Sequence, residues 1–336
     1  MQYLDNGQYF GLKNSTFAEA FRFWLMQIKR FGVAENTFNS YCIQANKHIF
    51  PYFEQKGIRL SQMTQFVLQE YYNSRLRCGL SGNTIMHHHA NIRDFMQWAW
   101  KCDLIEENCA DKVILPKKER YVPNFLDVDQ IPKCLQLFKG DVLEPIVWLA
   151  MLLGLRRSEV LGIRWNNIDF ANRTITIQQV VVQTADPHTM CRKTLVKQPK
   201  TKNSRRVLSL PKQLLAMLFL LRRIKFQNIK LYGEQYNFTY SDFVFTGKTG
   251  DLYDPDWVSK RFRKKILSSD LPYLRFHDLR HSCGSMLHYL GYDLEDIKEW
   301  LGHSSVQTTS DVYLHLGLLQ KRKISDSINQ LIETDY

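Results

Sequence analysis

The sequence lacks the features of a secreted or membrane-spanning protein. No run of residues is apolar for long enough to cross a bilayer, and the longest apolar stretch, residues 142–155, contains Glu144 and Pro145 and is typical of a buried helix. The N-terminus has no basic segment followed by an apolar run, so we predict no secretory signal. The seven cysteines form no CxxC pair, which favours reduced thiols over a disulfide framework or a zinc site. We therefore expect a cytoplasmic protein without a membrane partner.

Common catalytic motifs are also missing. The chain has no P-loop, no GxSxG, no cysteine beside a plausible base and no acidic cluster suited to magnesium. What it does have is positive charge, with 45 Lys and Arg against 33 Asp and Glu and a net charge of +12. Residues 1–115 hold 12 of the basic and 10 of the acidic side chains, which leaves 33 and 23 for residues 116–336. An excess confined to one part of the chain predicts a polyanionic partner, and DNA is the commonest one.

A length of 336 residues predicts two domains, because one core seldom serves so long a chain. After a short extension, 1–15, residues 16–114 are predicted to form a helical module. A capping box over Thr16–Glu19 opens its first helix, and the second helix has Pro51 near its end. The third and fourth helices are expected to begin at Thr64 and Thr84.

Two prolines and a charge cluster mark residues 115–125 as an interdomain linker. A mixed α+β domain is predicted over 126–336. It begins with an apolar helix around residues 143–151 and continues with a strand over 174–182 and a hairpin over 194–211. Helices are expected again from about Lys212.

The segment GLRRSEVLGIRW, residues 154–165, places an arginine between two apolar helices. Gly154 is a helix-stop signal, and Ser158 is the expected N-cap of the next helix, with Glu159 in its first turn. Arg156 is then held close to the core, where a guanidinium needs an anionic partner and is able to donate two bonds to a phosphate. Glu159 is placed to orient it. The alternative is a surface arginine in a turn.

The segment KQPKTKNSRRVLSLP, residues 197–211, carries basic residues around a turn. Residues 201–204 are turn formers between two extended runs, so Lys200 and Lys202 are expected at a hairpin tip. A flexible ammonium there is able to follow DNA and to donate a proton to a leaving oxygen. An edge strand guarded by lysines explains the same pattern, and spacing alone does not decide which lysine matters.

The segment FHDLRHSCGSMLHYLG, residues 276–291, has the period of a helix with two unlike faces. The predicted buried stripe consists of Leu279, Cys283, Met286, Leu287 and Leu290. The opposite face consists of His277, Arg280, His281, Gly284 and His288. His277 and Arg280 share that face near the helix start, where the dipole favours an anion. The i, i+4 pair His277 and His281 suggests zinc instead, but no carboxylate or cysteine completes a ligand set, so we predict no metal.

The stretch LGHSSVQTTSDVYLH, residues 301–315, combines a helix stop with a tyrosine beyond a polar turn. A short helix packed by Leu294, Ile297 and Leu301 is expected to end at Gly302, so that His303 emerges at its C-terminal end. A capping-box pattern over 304–307 predicts a brief helix leading to Tyr313. Nearby arginines and a bound phosphate lower the cost of ionising a phenol and place it for attack.

The order Arg…Lys…His-x-x-Arg…Gly-His…Tyr resembles that of the tyrosine recombinase, or phage integrase, family of DNA strand-exchange enzymes. The resemblance rests on GLRRSEVLGIRW, PKTKNSRR, FHDLRH, LGH and TSDVYLH and covers about residues 16–336. It is closest in pattern to the integrases of phages and conjugative transposons. The resemblance implies a bacterial, nucleoid-associated enzyme that integrates or excises a mobile element.

The resemblance also implies a role for each matching residue. Tyr313 is the nucleophile that forms a 3′-phosphotyrosine, and Arg156 and Arg280 stabilise the transition state. Lys200 protonates the leaving 5′ oxygen, His277 and His303 complete the pocket, and Glu159 supports Arg156. Neither metal nor ATP is needed, because the covalent link conserves the energy of the phosphodiester. The residues expected to bind DNA are Lys197, Lys202, Arg205 and Arg206.

The helical module resembles the SAM-like core-binding domain of the family. Asn108–Cys109 stands where members often have Asn-Pro. With about 15 residues before the module, we expect no arm-binding domain. The expected partners are double-stranded recombination sites and three further copies of the chain on paired sites, with a monomer or weak dimer in free solution. An element-encoded excision factor is a further expected partner.

Two other functions remain open. One is a DNA-binding accessory protein of the same fold that does not cleave. The other is a type IB topoisomerase, which uses similar phosphotyrosine chemistry without pairing two sites. The apolar positions in residues 314–336 favour recombination, since they predict a helix that docks on a neighbouring copy or packs in cis.

Overall fold

A computed structural model describes residues 11–118, 124–185, 192–198 and 205–303 of the chain. Contacts divide these residues into two compact units, the first formed by the described residues before 119 with a short piece that begins at Thr184, and the second by the rest. Part of the predicted linker lies outside the described residues, so the domain boundaries remain predictions. No helix among the described residues is both long and apolar enough to cross a membrane.

The described part of the first unit is helical. Helices α1 to α5 span Phe17–Trp24, Glu35–Gln44, Phe50–Lys56, Gln65–Arg77 and Gly82–Lys101. Helix α1 is extended by a π-helical turn and a last helical turn, Leu25–Lys29 and Arg30–Gly32. A second π-helical turn, Ala45–Ile49, joins α2 to α3. Two 3₁₀ turns span Leu60–Gln62 and Cys109–Lys112.

Side-chain caps fix where these helices begin. The predicted capping box is confirmed, because the Thr16 N–H donates to Glu19 Oε2 at 2.9 Å and the Glu19 N–H donates to Thr16 Oγ1 at 3.3 Å. Thr64 caps α4 as predicted. The predicted start of α5 at Thr84 is wrong. Ser81 is the N-cap, since its hydroxyl accepts from the Thr84 N–H at 3.2 Å.

Pro51 does not end a helix. The π-helical turn over Ala45–Ile49 precedes it, and Pro51 lies in the first turn of α3. The chain therefore stays helical to Lys56 and stops at Gly57, which is left-handed with φ 60°.

Aromatic side chains form the core of the first unit. Phe21 and Phe95 stack with ring centroids 4.8 Å apart, and Phe17 meets Phe95 edge-on at 5.3 Å. Trp24 closes the cluster and is 2% exposed. Aromatic pairs of this geometry stabilise a core beyond their burial alone.

The described part of the second unit mixes helices and short strands. Helices α6 to α12 span Gln130–Leu137, Glu144–Leu152, Arg157–Leu161, Lys212–Tyr232, Pro255–Leu267, Asp278–Tyr289 and Leu294–Leu301. Strands β1 to β5 span Ile168–Asp169, Thr174–Ile177, Val180–Ala185, Arg192–Lys197 and Arg206–Ser209. The end of β3 from Thr184 and the first residue of β4 are the short piece counted with the first unit. Helix α7 is the predicted apolar helix, and it packs in the core against α11, α9 and α8.

The strands pair differently from the predicted hairpin over 194–211. Strands β1, β2 and β5 form one antiparallel sheet in that order, in which Ile175 lies opposite Leu208, whereas β3 and β4 form a separate pair. The two runs thought to flank one hairpin thus belong to two sheets. The single strand predicted over 174–182 is likewise two strands.

Contacts with the turn over residues 162–167 explain why β2 and β3 are separate strands. Arg164 Nε donates to Gln179 Oε1 at 2.6 Å, and Asn167 Nδ2 donates to Gln178 Oε1 at 3.3 Å. The Gln179 carbonyl comes so close to Gly162 that a Cβ there would lie 2.4 Å from it. The chain between β2 and β3 is therefore held against this turn instead of continuing one strand.

Candidate active site

The elbow between α7 and α8 presents Arg156 beside a buried carboxylate. The predicted N-cap Ser158 is wrong, because Arg156 itself is the N-cap and α8 begins at Arg157. Glu159 Oε2 accepts from the Arg156 N–H at 3.0 Å, and Glu159 Oε1 accepts from Arg156 Nη1 at 2.6 Å. The Arg156 side chain is 35% exposed and that of Glu159 is 2% exposed. Glu159 therefore fixes both the backbone and the guanidinium of Arg156.

Gly154 brings the elbow close to α11. Its φ is +63°, and its carbonyl accepts from Arg280 Nη1 at 2.7 Å. A Cβ on Gly154 would lie 2.2 Å from Leu301 Cδ2 and 3.2 Å from Cys283 Sγ. Only a glycine fits where this left-handed turn meets α11 and α12.

Gly154→Ala should strongly destabilise the second unit. The left-handed backbone costs about 1–2 kcal/mol for an alanine, and overpacking against Leu301 adds about 1–3 kcal/mol. Urea unfolding should show the loss. Gly140→Ala is the matched control, because Gly140 has a φ of +72° and open space around it, so only the backbone cost applies. Equal losses in the two variants would contradict the close approach.

Helix α11 does not present the polar face that its sequence predicted. Arg280 is 2% exposed and Gly284 is buried, whereas Leu290, assigned to the buried stripe, is 62% exposed. Leu279 and Cys283 are buried as predicted. The reason is that α11 is enclosed on two sides over its first turns, by α7 and by α12, and opens to solvent only near its end.

Only one of the two Nη atoms of Arg280 has a hydrogen-bond partner among the described residues. Nη1 donates to the Gly154 carbonyl, whereas Nη2 is buried and has no hydrogen-bond partner among the described residues. Burial, followed by the charge of Arg156, lowers the pKa of Arg280 to about 9, which leaves it charged at neutral pH. A buried donor without a partner is costly, so this atom is suited to an anionic ligand.

The N-terminus of α11 is held by an ion pair. Arg275 Nη2 donates to Asp278 Oδ1 at 2.8 Å, and the Arg275 N–H donates to Asp278 Oδ2 at 2.7 Å. His277, the residue before the first turn, is exposed at the surface, yet protein packed around its ring lowers its pKa, with further contributions from His281, Arg280 and Arg156. The His277 and His281 rings lie 5.1 Å apart at 88°.

His303 follows the end of α12 as predicted. Gly302 is left-handed with φ 69° and donates to the Lys298 carbonyl at 2.8 Å, and the His303 N–H donates to the same carbonyl at 3.0 Å. Ile297 and Leu301 anchor the helix in the core. His303 is 7% exposed, and burial lowers its pKa to about 3, with Arg280, Arg156, His281 and Arg206 acting in the same direction.

Stability should fall with acidification through the titration of His303. Its pKa is about 3 in the folded chain and about 6.5 when unfolded, so the unfolded chain binds more protons between these values and stability drops as pH falls below about 6.5. Unfolding midpoints at pH 7 and pH 5 measure the effect. His303→Gln should reduce this dependence, whereas replacing the exposed His87 by Gln should not. The same reduction in both variants would contradict the assignment.

Arg206 does not have the exposure expected of a DNA contact. Its side chain is 8% exposed, with Nη2 3.2 Å from Glu159 Oε2 and Nε donating to the Trp300 carbonyl at 3.0 Å. Arg205, by contrast, is exposed and donates to Gln198 Oε1 at 2.5 Å. Lys197 is half-buried in β4. Lys200, Lys202 and Tyr313, together with the predicted C-terminal helix, lie outside the described residues.

Three arginines thus surround one buried carboxylate. Arg156, Arg206 and Arg280 all lower the pKa of Glu159 against the opposing effect of its burial, so Glu159 stays ionised. The excess of positive charge over this carboxylate, with the unpartnered Arg280 Nη2, makes the site suited to bind an anion such as a phosphodiester. Sequence reasoning missed the inward position of Arg206, whereas the proximity of His281 to His277 agrees with the predicted i, i+4 pair.

Two family models match the sequence. The Phage integrase family model matches residues 124–318, and the model for the N-terminal SAM-like domain of phage integrases matches residues 16–76. The chain therefore belongs to the phage integrase family. It is a site-specific recombinase, as the resemblance predicted, and the two-domain fold class is confirmed.

Curated relatives carry related names. A "Tyrosine recombinase XerC-like" protein of Caldanaerobacter subterraneus subsp. tengcongensis is 28% identical, over 98% of this chain and 86% of its own. The ICEBs1 integrase of Bacillus subtilis is 29% identical, over 85% of this chain and 76% of its own.

Two solved integrases share the fold. The Tn1549 transposon integrase in complex with a circular intermediate DNA is 19% identical and has a TM-score of 0.68, over 89% of this chain and 95% of that one. A lambda integrase dimer bound to a core site is 15% identical with a TM-score of 0.62, over 87% of this chain and 97% of that one.

Proposed function

We propose that the chain cuts and rejoins double-stranded DNA at paired recombination sites to integrate or excise a mobile element. The observation that carries the proposal is the buried guanidinium of Arg280, whose Nη2 has no partner among the described residues and lies in a site with excess positive charge. A scissile phosphate bound there accepts the unused donors and offsets the repulsion between Arg156 and Arg280.

In the proposed reaction the phenolic oxygen of Tyr313 attacks the scissile phosphorus. A bond from tyrosine to phosphorus forms and the bond to the 5′ oxygen breaks, so the protein holds the 3′ phosphate and a 5′ hydroxyl leaves. Lys200 gives the leaving oxygen its proton. His277 and His303, whose lowered pKa values favour the neutral form at pH 7, hydrogen-bond the phosphate and take part in moving the phenolic proton.

The arginines stabilise the charge that develops in this reaction. Arg156 and Arg280 are proposed to hold the nonbridging oxygens, and Glu159 fixes Arg156 in place. Donors fixed in advance of the reaction lower its barrier, because they need not reorganise. Reversal with a new 5′ hydroxyl rejoins the strand without ATP. We propose no metal, since two guanidinium groups supply the positive charge.

The proposed assembly is a homotetramer on two paired sites, with a monomer or weak dimer in free solution. An element-encoded excision factor is a further proposed partner, and the nucleoid is the proposed place of action because the DNA substrate lies there. The exposed Arg205 with Lys197 and Lys202 is proposed to contact the DNA backbone.

A cleavage assay tests this function. DNA flanking the gene is searched for inverted repeats around a short spacer, and labelled duplexes from these sites are incubated with the protein. We expect protein–DNA complexes that resist denaturation, at equal rates with and without chelator or ATP. DNA binding without any covalent complex would favour the accessory protein, and relaxation of supercoils without site preference would favour the topoisomerase.

Lys200 and Lys202 should differ in what their loss changes. Lys200→Ala should slow cleavage while DNA binding is kept, because the leaving oxygen loses its proton donor. Lys202→Ala should weaken binding and reduce the slope of log K against log salt by about 0.9, the value for one phosphate contact. A bridging 5′ sulfur, which leaves without a proton, should rescue Lys200→Ala alone. Rescue of Lys202→Ala instead would show that the roles are exchanged.

A further inference from the structure

Arg206 lies on the inward face of β5. In the sheet it is opposite Ile177, and Leu208, two residues on and therefore on the same face, is opposite Ile175 and 4% exposed. The intervening Val207 is 61% exposed. Strand alternation thus turns Arg206 into the unit and Arg205 out of it.

The Arg206 guanidinium joins two other elements of the site. Nη2 reaches Glu159 Oε2 on α8, and Nε donates to the Trp300 carbonyl in the last turn of α12, just before Gly302 and His303. One buried side chain therefore connects the strand β5, the helix that carries Glu159 and the helix end that positions His303.

Glu159 transmits this position to Arg156. Its Oε2 accepts from Arg206 Nη2 and from the Arg156 N–H, while its Oε1 accepts from Arg156 Nη1. Arg206 therefore contacts Oε2, and Oε1 remains the acceptor for Arg156 Nη1. Loss of Arg206 would let the carboxylate move, and Arg156 with it.

We propose that Arg206 is a positioning residue for strand cleavage, which fixes the Glu159 carboxylate and through it Arg156, and that it does not contact DNA. The inference rests on the proposed function. It separates two adjacent arginines of similar sequence context, since Arg205 keeps the DNA-contacting role.

Charge adds to this geometry. Burial raises the pKa of Glu159, and Arg206 is the strongest influence in the opposite direction, ahead of Arg156 and Arg280, the other charged groups that face the carboxylate. Without Arg206, the pKa of Glu159 should rise, and a protonated Glu159 holds Arg156 less firmly. An acid-dependent loss of cleavage should therefore appear in an Arg206 variant.

The first test compares Arg206→Gln with Arg205→Gln. Covalent complex formation is measured at saturating DNA, and DNA affinity is measured as a function of salt. For Arg206→Gln we expect a rate loss of up to about 10²-fold, the size seen when a catalytic group is misplaced by about 1 Å, with the parent's salt slope. For Arg205→Gln we expect weaker binding and a slope reduced by about 0.9. A reduced slope with an unchanged saturated rate in Arg206→Gln would overturn the proposal.

The second test uses Glu159→Gln, alone and combined with Arg206→Gln. If Arg206 acts through Glu159, the double variant should be no slower than the slower single variant, and the acid-dependent loss of Arg206→Gln should vanish in it. Rate losses that multiply, or an acid limb that persists without the carboxylate, would overturn the proposal. Arg206→Lys keeps the charge and should show the parent's pH profile at a reduced cleavage rate. This variant replaces Arg206→Gln in the tests if Arg206→Gln does not fold.

These outcomes are distinct from failure of the proposed function. A parent protein that forms no covalent complex on any site would contradict the cleavage reaction itself. A parent that does form it, with Arg206→Gln behaving like Arg205→Gln, would contradict only the positioning role.

Discussion

Replacing Tyr313 by phenylalanine is expected to abolish DNA cleavage and leave DNA binding unchanged. The substitution removes the oxygen proposed to attack the phosphate and keeps the ring, so whatever packing the ring makes is retained. The chain offers no serine or cysteine in a recognised nucleophile motif that would substitute for it. Covalent complex formation and binding to the same labelled duplex measure the two properties.

Two controls make this result specific. Tyr292→Phe removes a phenol from an exposed tyrosine of the second unit, and this variant should cleave at the parent's rate. Parent protein with chelator should also cleave normally. Residual cleavage in Tyr313→Phe above that of a protein-free sample would show that another residue is the nucleophile.

Arg280→Ala should cause the second-largest loss of cleavage rate. Removing one donor that is fixed in place around a developing anion costs about 10²–10³-fold in rate, or about 3–4 kcal/mol of transition-state stabilisation. The donor that this substitution removes is Nη2, which has no partner among the described residues. Single-turnover cleavage at saturating DNA measures the rate separately from binding.

Arg157→Ala is the matched control, because this arginine of the same elbow directs its guanidinium to Ser259, at 2.6 Å, and to Asp256. It should lose some stability and retain the cleavage rate. A methylphosphonate at the scissile position removes one negative charge from the phosphate. With this substrate, the cleavage rates of Arg280→Ala and the parent should differ less than they do with the normal phosphate. An unchanged difference would place Arg280 outside the phosphate site.

Local signals in the sequence predicted helix ends better than strand pairing. The capping box at Thr16 and the stop at Gly302 involve neighbours within a few residues, so the pattern contained the whole interaction. The partner of β5 is β2, which lies about thirty residues earlier in the chain. Strand β2 ends where Gln178 and Gln179 bond to the turn that contains Arg164 and Asn167. No nearby residue signals that contact.

The candidate site shows the same limit. His303 lies where the predicted stop at Gly302 placed it, and Arg156 lies in the predicted elbow, although α8 begins one residue before the predicted cap Ser158. Arg280 was assigned to the face opposite the buried stripe, because the sequence of α11 does not reveal that α7 and α12 enclose this helix. Arg206 was recoverable, because alternation with the buried Leu208 places it on the inner face.

The central claim is that Tyr313 becomes covalently joined to DNA, and one measurement tests it most directly. The protein is incubated with its own site carrying a nick beside the scissile phosphate, so that the short released fragment diffuses away and the reverse reaction is lost. The complex is then digested with protease and nuclease and analysed by mass spectrometry. We expect a nucleotide on the peptide that contains Tyr313, absent from Tyr313→Phe. A nucleotide on any other residue, or an adduct that survives in Tyr313→Phe, would contradict the claim.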